Sequence, residues 1–383
     1  MLAVSAVALA VTATSAVSAG ARPEGAADHP RSAILAIAFE AEPVLLDYGL
    51  PHHPNSVGTT HLGTIGRLSL IHQPSALVRL ELGVAGRLPM SSDFEEELGA
   101  LPIARVEVRP LPSLRLTLGS LHPEHGYHLA LLDERRERYG RAISDSYDRT
   151  LVPEARRRLD EGPAMPGEHG VQLTSVLGPL KSEAFLDWQL LETREHREKF
   201  AFGALLALAF RRAELGAQLY LVHYGGERYT KDDPVRFAGL DPKRQPISLG
   251  VTARLRPLDG EVIAVDLCGA LLGGRMIQVA GAAAEWFSGG EIGVEATLFE
   301  QGRVHYHLWL PERGGGGWLS EEGDPIYREG RTHRVGIALT QTFGALSLEG
   351  ALDLAFPIGG DAVQYQIFTR ARWRLEHVLW KED

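Results

Sequence analysis

Thiol chemistry is almost missing from this chain. Cys268 is the one cysteine in 383 residues, which excludes an intrachain disulfide framework and a thiolate metal site. An excess of basic charge is missing too. Lys and Arg total 39 against 49 Asp and Glu, for a formal charge of -10. With no basic stripe and no aromatic-basic pattern, nucleic acid is excluded as a partner. Long apolar runs are also absent once the N-terminus is passed. The longest, Phe200 to Phe210, has 11 residues, short of the roughly 18 a membrane helix needs. Neither a Gly-x-Ser-x-Gly elbow nor a His-Glu-x-x-His helix occurs, so the motifs give no catalytic residues and the chain is expected not to be an enzyme. No cofactor is expected, and no metal: His305 and His307 sit two apart on one strand face, but no carboxylate or Cys at a ligand spacing joins them.

What is present begins with a leader. Leu2 to Val17 form an uncharged Ala/Val run followed by Ser18-Ala19-Gly20-Ala21. Small residues at that place suit signal peptidase, so residues 1–21 are expected to be a signal peptide and 22–383 a single exported domain.

That domain alternates. Val78, Leu80, Leu82 and Val84 share one face of an extended segment, with Arg79 and Glu81 on the other. The same period of two runs through Leu114, Leu116 and Leu118, through Ala184, Leu186, Trp188 and Leu190, and through Leu346 and Leu348. It is clearest at the end, where Tyr365, Ile367, Ala371, Trp373 and Leu375 oppose Gln364, Gln366, Arg370, Arg372 and Arg374. Period two means a strand with one greasy and one polar face. Several such segments exceed the usual 5 or 6 residues, as lipid-crossing strands do.

The pattern predicts about 16 strands (14–18), near 33–47, 61–71, 76–88, 102–109, 113–121, 169–178, 181–192, 197–211, 213–224, 246–256, 260–272, 276–286, 291–310, 331–342, 345–356 and 362–380. Segment 291–310 is read as one strand, since an even count returns both termini to the same side. Alternate connections carry short turns such as HQPS at 72–75, PLP at 110–112 and FSGG at 287–290. The others include longer loops at 48–60, 89–101, 122–168, 225–245 and 311–330. Short turns at one end and long loops at the other predict an all-β, antiparallel, up-and-down transmembrane barrel.

In its leader, its alternating hairpins and a final strand ending at Trp380, followed by Lys381-Glu382-Asp383, the chain resembles the porin-like outer-membrane proteins of Gram-negative bacteria. Segments Glu168 to Leu173 and Phe185 to Trp188 are faintly similar to barrels of polysaccharide-secreting bacteria. The resemblance implies an outer-membrane location, a lipid bilayer as surroundings, and recognition of the last strand by the outer-membrane assembly machinery. It also implies that the third outer loop, 122–168, folds into the lumen and sets a constriction.

Candidate lining residues follow from the polar faces and that loop. They are Arg79, Glu81, Arg105, Glu107, Arg109, Arg115, Asp187, Glu349, Asp353, Arg370, Arg372 and Arg374 on strands, with Arg135, Arg136 and Arg138 in the loop. A guanidinium is always charged and forks onto carboxylate or phosphate, so such a wall favours anions. Two readings of the inward charges stay open: a basic ladder facing an acidic wall across the lumen, or ion pairs that brace and fill it. Trp286, Phe287, Tyr306, Trp309, Trp318, Trp373 and Trp380 near strand ends are expected to form interfacial girdles. The expected function is passive or gated passage of polar solutes, anionic or carbohydrate. The alternatives are a barrel component of polysaccharide secretion, an outer-membrane enzyme, and a secreted carbohydrate-binding β protein.

Overall fold

In the computed structural model, sixteen antiparallel strands close into one barrel in up-and-down order, with β1 pairing both β2 and β16. The structure describes residues 33–49, 59–89, 99–122, 125–132, 169–190, 199–224, 245–277, 285–312, 327, 330–359 and 363–381. The strands are β1 (Ile34–Gly49), β2 (Thr59–Ser75), β3 (Val78–Pro89), β4 (Gly99–Leu111), β5 (Leu114–Ser120), β6 (His169–Leu177), β7 (Leu180–Leu190) and β8 (Lys199–Ala209). The second half comprises β9 (Ala213–Tyr224), β10 (Gln245–Asp259), β11 (Ile263–Ile277), β12 (Glu285–Leu298), β13 (Gly302–Pro311), β14 (Thr332–Phe343), β15 (Leu346–Pro357) and β16 (Gln364–Lys381). No helix among the described residues is long and apolar enough to cross a membrane.

Alternation dictates which way each strand faces. Leu82, Leu271 and Trp286 are 63%, 72% and 73% exposed, on a surface where water would penalise them and hydrocarbon would not. Residues on the opposite faces of the strands turn inward, where Ser69, Glu107, Gln218, Asp266 and Glu291 are buried. An apolar exterior around a polar interior is the inverse of a soluble barrel, so the wall stands in a lipid bilayer. Closure leaves no strand edge unpaired, which hydrocarbon demands because it offers no hydrogen bonds.

Every β2–β3-type connection at one end is a turn of two or three residues, whereas those at the other end run from 6 residues (358–363) to 48 (121–168). In outer-membrane barrels the short turns are periplasmic and the loops external; we call the two ends the turn end and the loop end.

The count of sixteen matches expectation, but two of its parts do not. Segment 291–310 is two strands, and predicted strand 276–286 is none: β11 runs on to Ile277, and FSGG lies inside β12 rather than at a turn. The physical reason is a tight hairpin at Phe299-Glu300, both with positive φ (52° and 61°), closed by Gln301 N–H donating to Leu298 O at 3.1 Å. Two consecutive left-handed residues make a turn that usually announces itself with Asn or Gly. Here Phe and Glu occupy it, and the sequence reads straight through.

Candidate functional site

The candidate site is the lumen, into which a segment of the chain itself folds. After β5 the chain turns inward. Leu121, Ala130, Leu131 and Leu132 are at most 3% exposed, packed with inward residues Phe185 of β7, Ala201 of β8, Tyr220 and Val222 of β9, Leu272 of β11 and Trp309 of β13. Tyr327, from the β13–β14 connection, joins them. The described part of the long third loop therefore lies inside the barrel, as the porin resemblance implies. We call the described residues 121–122 and 125–132 the plug. Its turn is held by Leu131 N–H donating to His128 O at 2.8 Å.

The wall makes room for these rings with glycine. A Cβ on Gly203 would stand 2.3 Å from the Phe185 ring and 2.5 Å from the Tyr127 hydroxyl; one on Gly289 would stand 2.3 Å from the Trp309 ring. Trp309 thus points inward, and Phe287 packs against the same cluster. Both leave the expected girdle, which Trp286, Trp373 and Trp380 still fit as exposed outward rings. Trp318 lies outside the described residues.

Polar anchors fix the plug. His122 N–H donates to Gln172 Oε1 at 3.1 Å, and Gln172 Nε2 returns a bond to His122 O at 3.2 Å. His128 N–H donates to Gln218 Oε1 at 2.9 Å. Three histidine rings reach three glutamates: His122 Nε2 to Glu107 at 2.9 Å, His125 Nδ1 to Glu183, and His128 Nε2 to Glu291 at 3.2 Å. Glu291 also receives His307 Nδ1 at 2.8 Å and the Tyr327 hydroxyl at 2.6 Å.

The remaining lining is ion-paired. Arg105 meets Glu81 at 2.9 Å, Arg109 meets Glu107 at 3.2 Å, Arg256 forks onto Asp266 at 2.8 and 3.0 Å, and Arg334 meets Asp353 at 3.2 Å. On the closing strand, Arg370 binds Glu42 at 3.2 Å and also Glu349, while Arg372 approaches Glu42 at 3.5 Å and Glu40 at 3.8 Å. Glu42 is fully buried, so these cations are what make its charge tolerable there.

The strand candidates thus all sit on β3–β5, β7, β15 and β16, but they do not form one constriction. Of the two open readings, the ion-paired one describes the wall. The arginine ladder is matched in place by Glu40, Glu42 and Glu349 of adjacent strands, and Arg105 pairs with Glu81 rather than joining the ladder. Arg115 donates to Thr174 at 3.2 Å, Arg79 is in register with Glu107, and Arg374 with Glu40. Asp187 accepts the His169 backbone N–H at 2.7 Å. Arg135, Arg136 and Arg138 lie outside the described residues, as do the leader and the rest of loop 122–168. Sequence reading looked for the constriction in that arginine-rich stretch and passed over 121–132. The missed signal was its composition: three histidines at intervals of three beside Leu129, Leu131 and Leu132. Among the described residues no cluster of three metal-ligating side chains occurs.

Set beside known proteins, the barrel is similar in fold to solved outer-membrane proteins. The outer membrane protein opdK from Pseudomonas aeruginosa superposes with a TM-score of 0.51 over 89% of this chain and 98% of its own, at 9% identity. OmpF of Salmonella typhi matches at 0.49 over 89% and 97% of the two chains, at 10% identity. No curated protein sequence matches the chain. A family model does: residues 54–239, somewhat under half of the chain, match the Lipid A 3'-O-deacylase-type family. That stretch contains β2 to β9 and the plug. It overturns the expectation that the chain is not an enzyme, because a deacylase-type family is a family of enzymes and the match points toward catalysis.

Proposed function

We propose that the barrel is an outer-membrane pore for small polar solutes, anionic ones preferred, and that the plug governs their passage. One observation carries this reading: sixteen strands enclose a lumen lined with charge. Barrels of about 16 strands are too wide for wall side chains alone to fill, and leave an aqueous path. A purely structural interior would gain by being apolar, since each buried ion pays desolvation that a packed aliphatic does not. Arg109, Arg115 and Arg374 toward the turn end supply cations where a solute would meet the periplasmic mouth. Carbohydrate is the other solute class such a lining accepts, in import or in polysaccharide secretion. Reconstitution in a planar bilayer tests the reading: small ohmic steps with anion selectivity are expected, and Arg372→Ala should lower that selectivity.

A second reading, hydrolysis of an ester-linked acyl chain on a lipid A-type glycolipid, is favoured by the family match over residues 54–239. Within that stretch the Ser120 hydroxyl lies 3.5 Å from His169 Nδ1, where β5 and β6 meet at the loop end. A hydroxyl beside an imidazole is the minimum for an activated nucleophile. Two residues away along each strand, Leu118 and Val171 are each 39% exposed on the lipid side. Incubating the purified barrel with lipid A and following released fatty acid by mass spectrometry tests this. Release that Ser120→Ala abolishes is expected, and no release by the native chain contradicts it.

A further inference from the structure

The three histidine–glutamate contacts of the plug have a common geometry. His122, His125 and His128 follow at equal intervals of three residues, and their partners stand on three separated strands. Glu107 is on β4, Glu183 on β7 and Glu291 on β12. The contacts therefore tie one short segment to the wall at three places around the lumen. A segment tied at one point can swing; tied at three, it is held in place.

Each tie is braced from behind. Glu107 is also held by Arg109 at 3.2 Å. Glu183 accepts Gln172 Nε2 at 2.9 Å, and the His125 ring stacks on Phe185 with centroids 4.0 Å apart. Around Glu291 stand His307, which reaches on to Glu295 at 3.3 Å, and Tyr327, which accepts from Arg334 at 3.3 Å. Arg334 is paired with Asp353, and His305 Nε2 lies 2.7 Å from the same carboxylate. At His128 the ring uses both nitrogens: Nδ1 accepts Ala130 N–H at 3.2 Å while Nε2 faces Glu291. One imidazole thus shapes the plug's own turn and ties it to the wall.

Each glutamate thus also meets a wall residue: Glu107 meets Arg109, Glu183 meets Gln172 and Glu291 meets His307. What the three glutamates add is a grip on the plug. We propose that His122, His125 and His128 with Glu107, Glu183 and Glu291 form a three-point latch that holds the plug (residues 121–122 and 125–132) in the lumen as an autoinhibitory segment. The gating half of this inference rests on the pore reading; the latch itself does not. Releasing the latch frees the plug as a unit, because no single pair holds it, and uncovers the ring-lined wall of Phe185, Tyr220 and Trp309.

The test reads plug accessibility separately from current. In a Cys268→Ser background, Ala130→Cys places a thiol on the plug at a position now 2% exposed. In the folded barrel, verified by heat-modifiable mobility, a polar methanethiosulfonate reagent at pH 7 should label it slowly. With His122→Ala, His125→Ala and His128→Ala together, labelling should accelerate at least tenfold. The triple variant Glu107→Gln, Glu183→Gln and Glu291→Gln keeps side-chain volume, removes the charges and should accelerate it as well. Should either triple variant fail to fold, the other decides. Labelling at the reference rate in a folded triple variant would overturn the latch, leaving apolar packing as what holds the plug. Fast labelling without any increase in ionic current upholds the latch and overturns the pore reading, so the two fail independently.

Discussion

The two sides of the lumen are lined by different chemistry. From β7 to β13 the wall presents Phe185, Tyr220, Leu272 and Trp309, and the plug lies on them. From β15 through β16 to β2 a smaller apolar patch of Val44, Leu46, Ile65, Ala351 and Phe368 sits beside the Arg370–Glu42–Glu349 pairs. The first side is completed by a segment inserted from a loop, the second by charges from adjacent strands. The plug belongs to a loop, so moving it would break no strand pairing. Apolar contact between plug and wall is non-directional and can be broken and remade. Ion pairs between neighbouring strands are fixed by the hydrogen-bond register and cannot leave without the strands.

The largest effect should come from the fixed side. Arg370→Ala strips Glu42 of its nearest cation in a place where water does not reach. It should lower barrel stability by about 3–5 kcal/mol, read from the urea midpoint of the folded band on gels. Arg370→Lys should recover part of it, since an ammonium restores charge but not two-pronged contact with Glu42 and Glu349. Loss of under 1 kcal/mol would mean that the patch, not the pair, holds that side together.

The removable side should respond differently. Leu131 is fully buried, so Leu131→Ala should cost about 2–4 kcal/mol of plug docking while the urea midpoint of the barrel barely moves. Protease cleavage near the plug would rise. An equal fall in the barrel's own stability would show that plug and wall unfold together, erasing the distinction. The smallest effect belongs to neither side. Glu300 holds φ of 61° in the β12–β13 turn, a conformation glycine adopts freely. Glu300→Gly should therefore stabilise the hairpin by up to about 1 kcal/mol, leaving conductance unchanged.

The wall was legible and the plug was not, for a physical reason. A lipid-crossing strand must present apolar residues at every second position, so Leu346 to Pro357 and Gln364 to Lys381 declare themselves locally. Lumen contacts depend on which strands close around the barrel, and no local period encodes that. Glu107 and Glu291 are both inward by alternation, yet nothing in the sequence says that His122 and His128 reach them. The Phe299-Glu300 turn failed for the opposite cause: its backbone conformation is carried by residues that do not favour it. The deacylase-type match was illegible too, since no short nucleophile motif marks it. Ser120 and His169 are 49 residues apart and meet only through strand pairing.

The most direct test of the account is single-channel recording of the native barrel beside a form lacking residues 125–132. Small anion-selective steps are expected from the native chain, and steps several-fold larger, with weaker selectivity, from the deletion. Equal conductance in the two folded proteins, or none in the deletion, would contradict a lumen whose passage the plug governs.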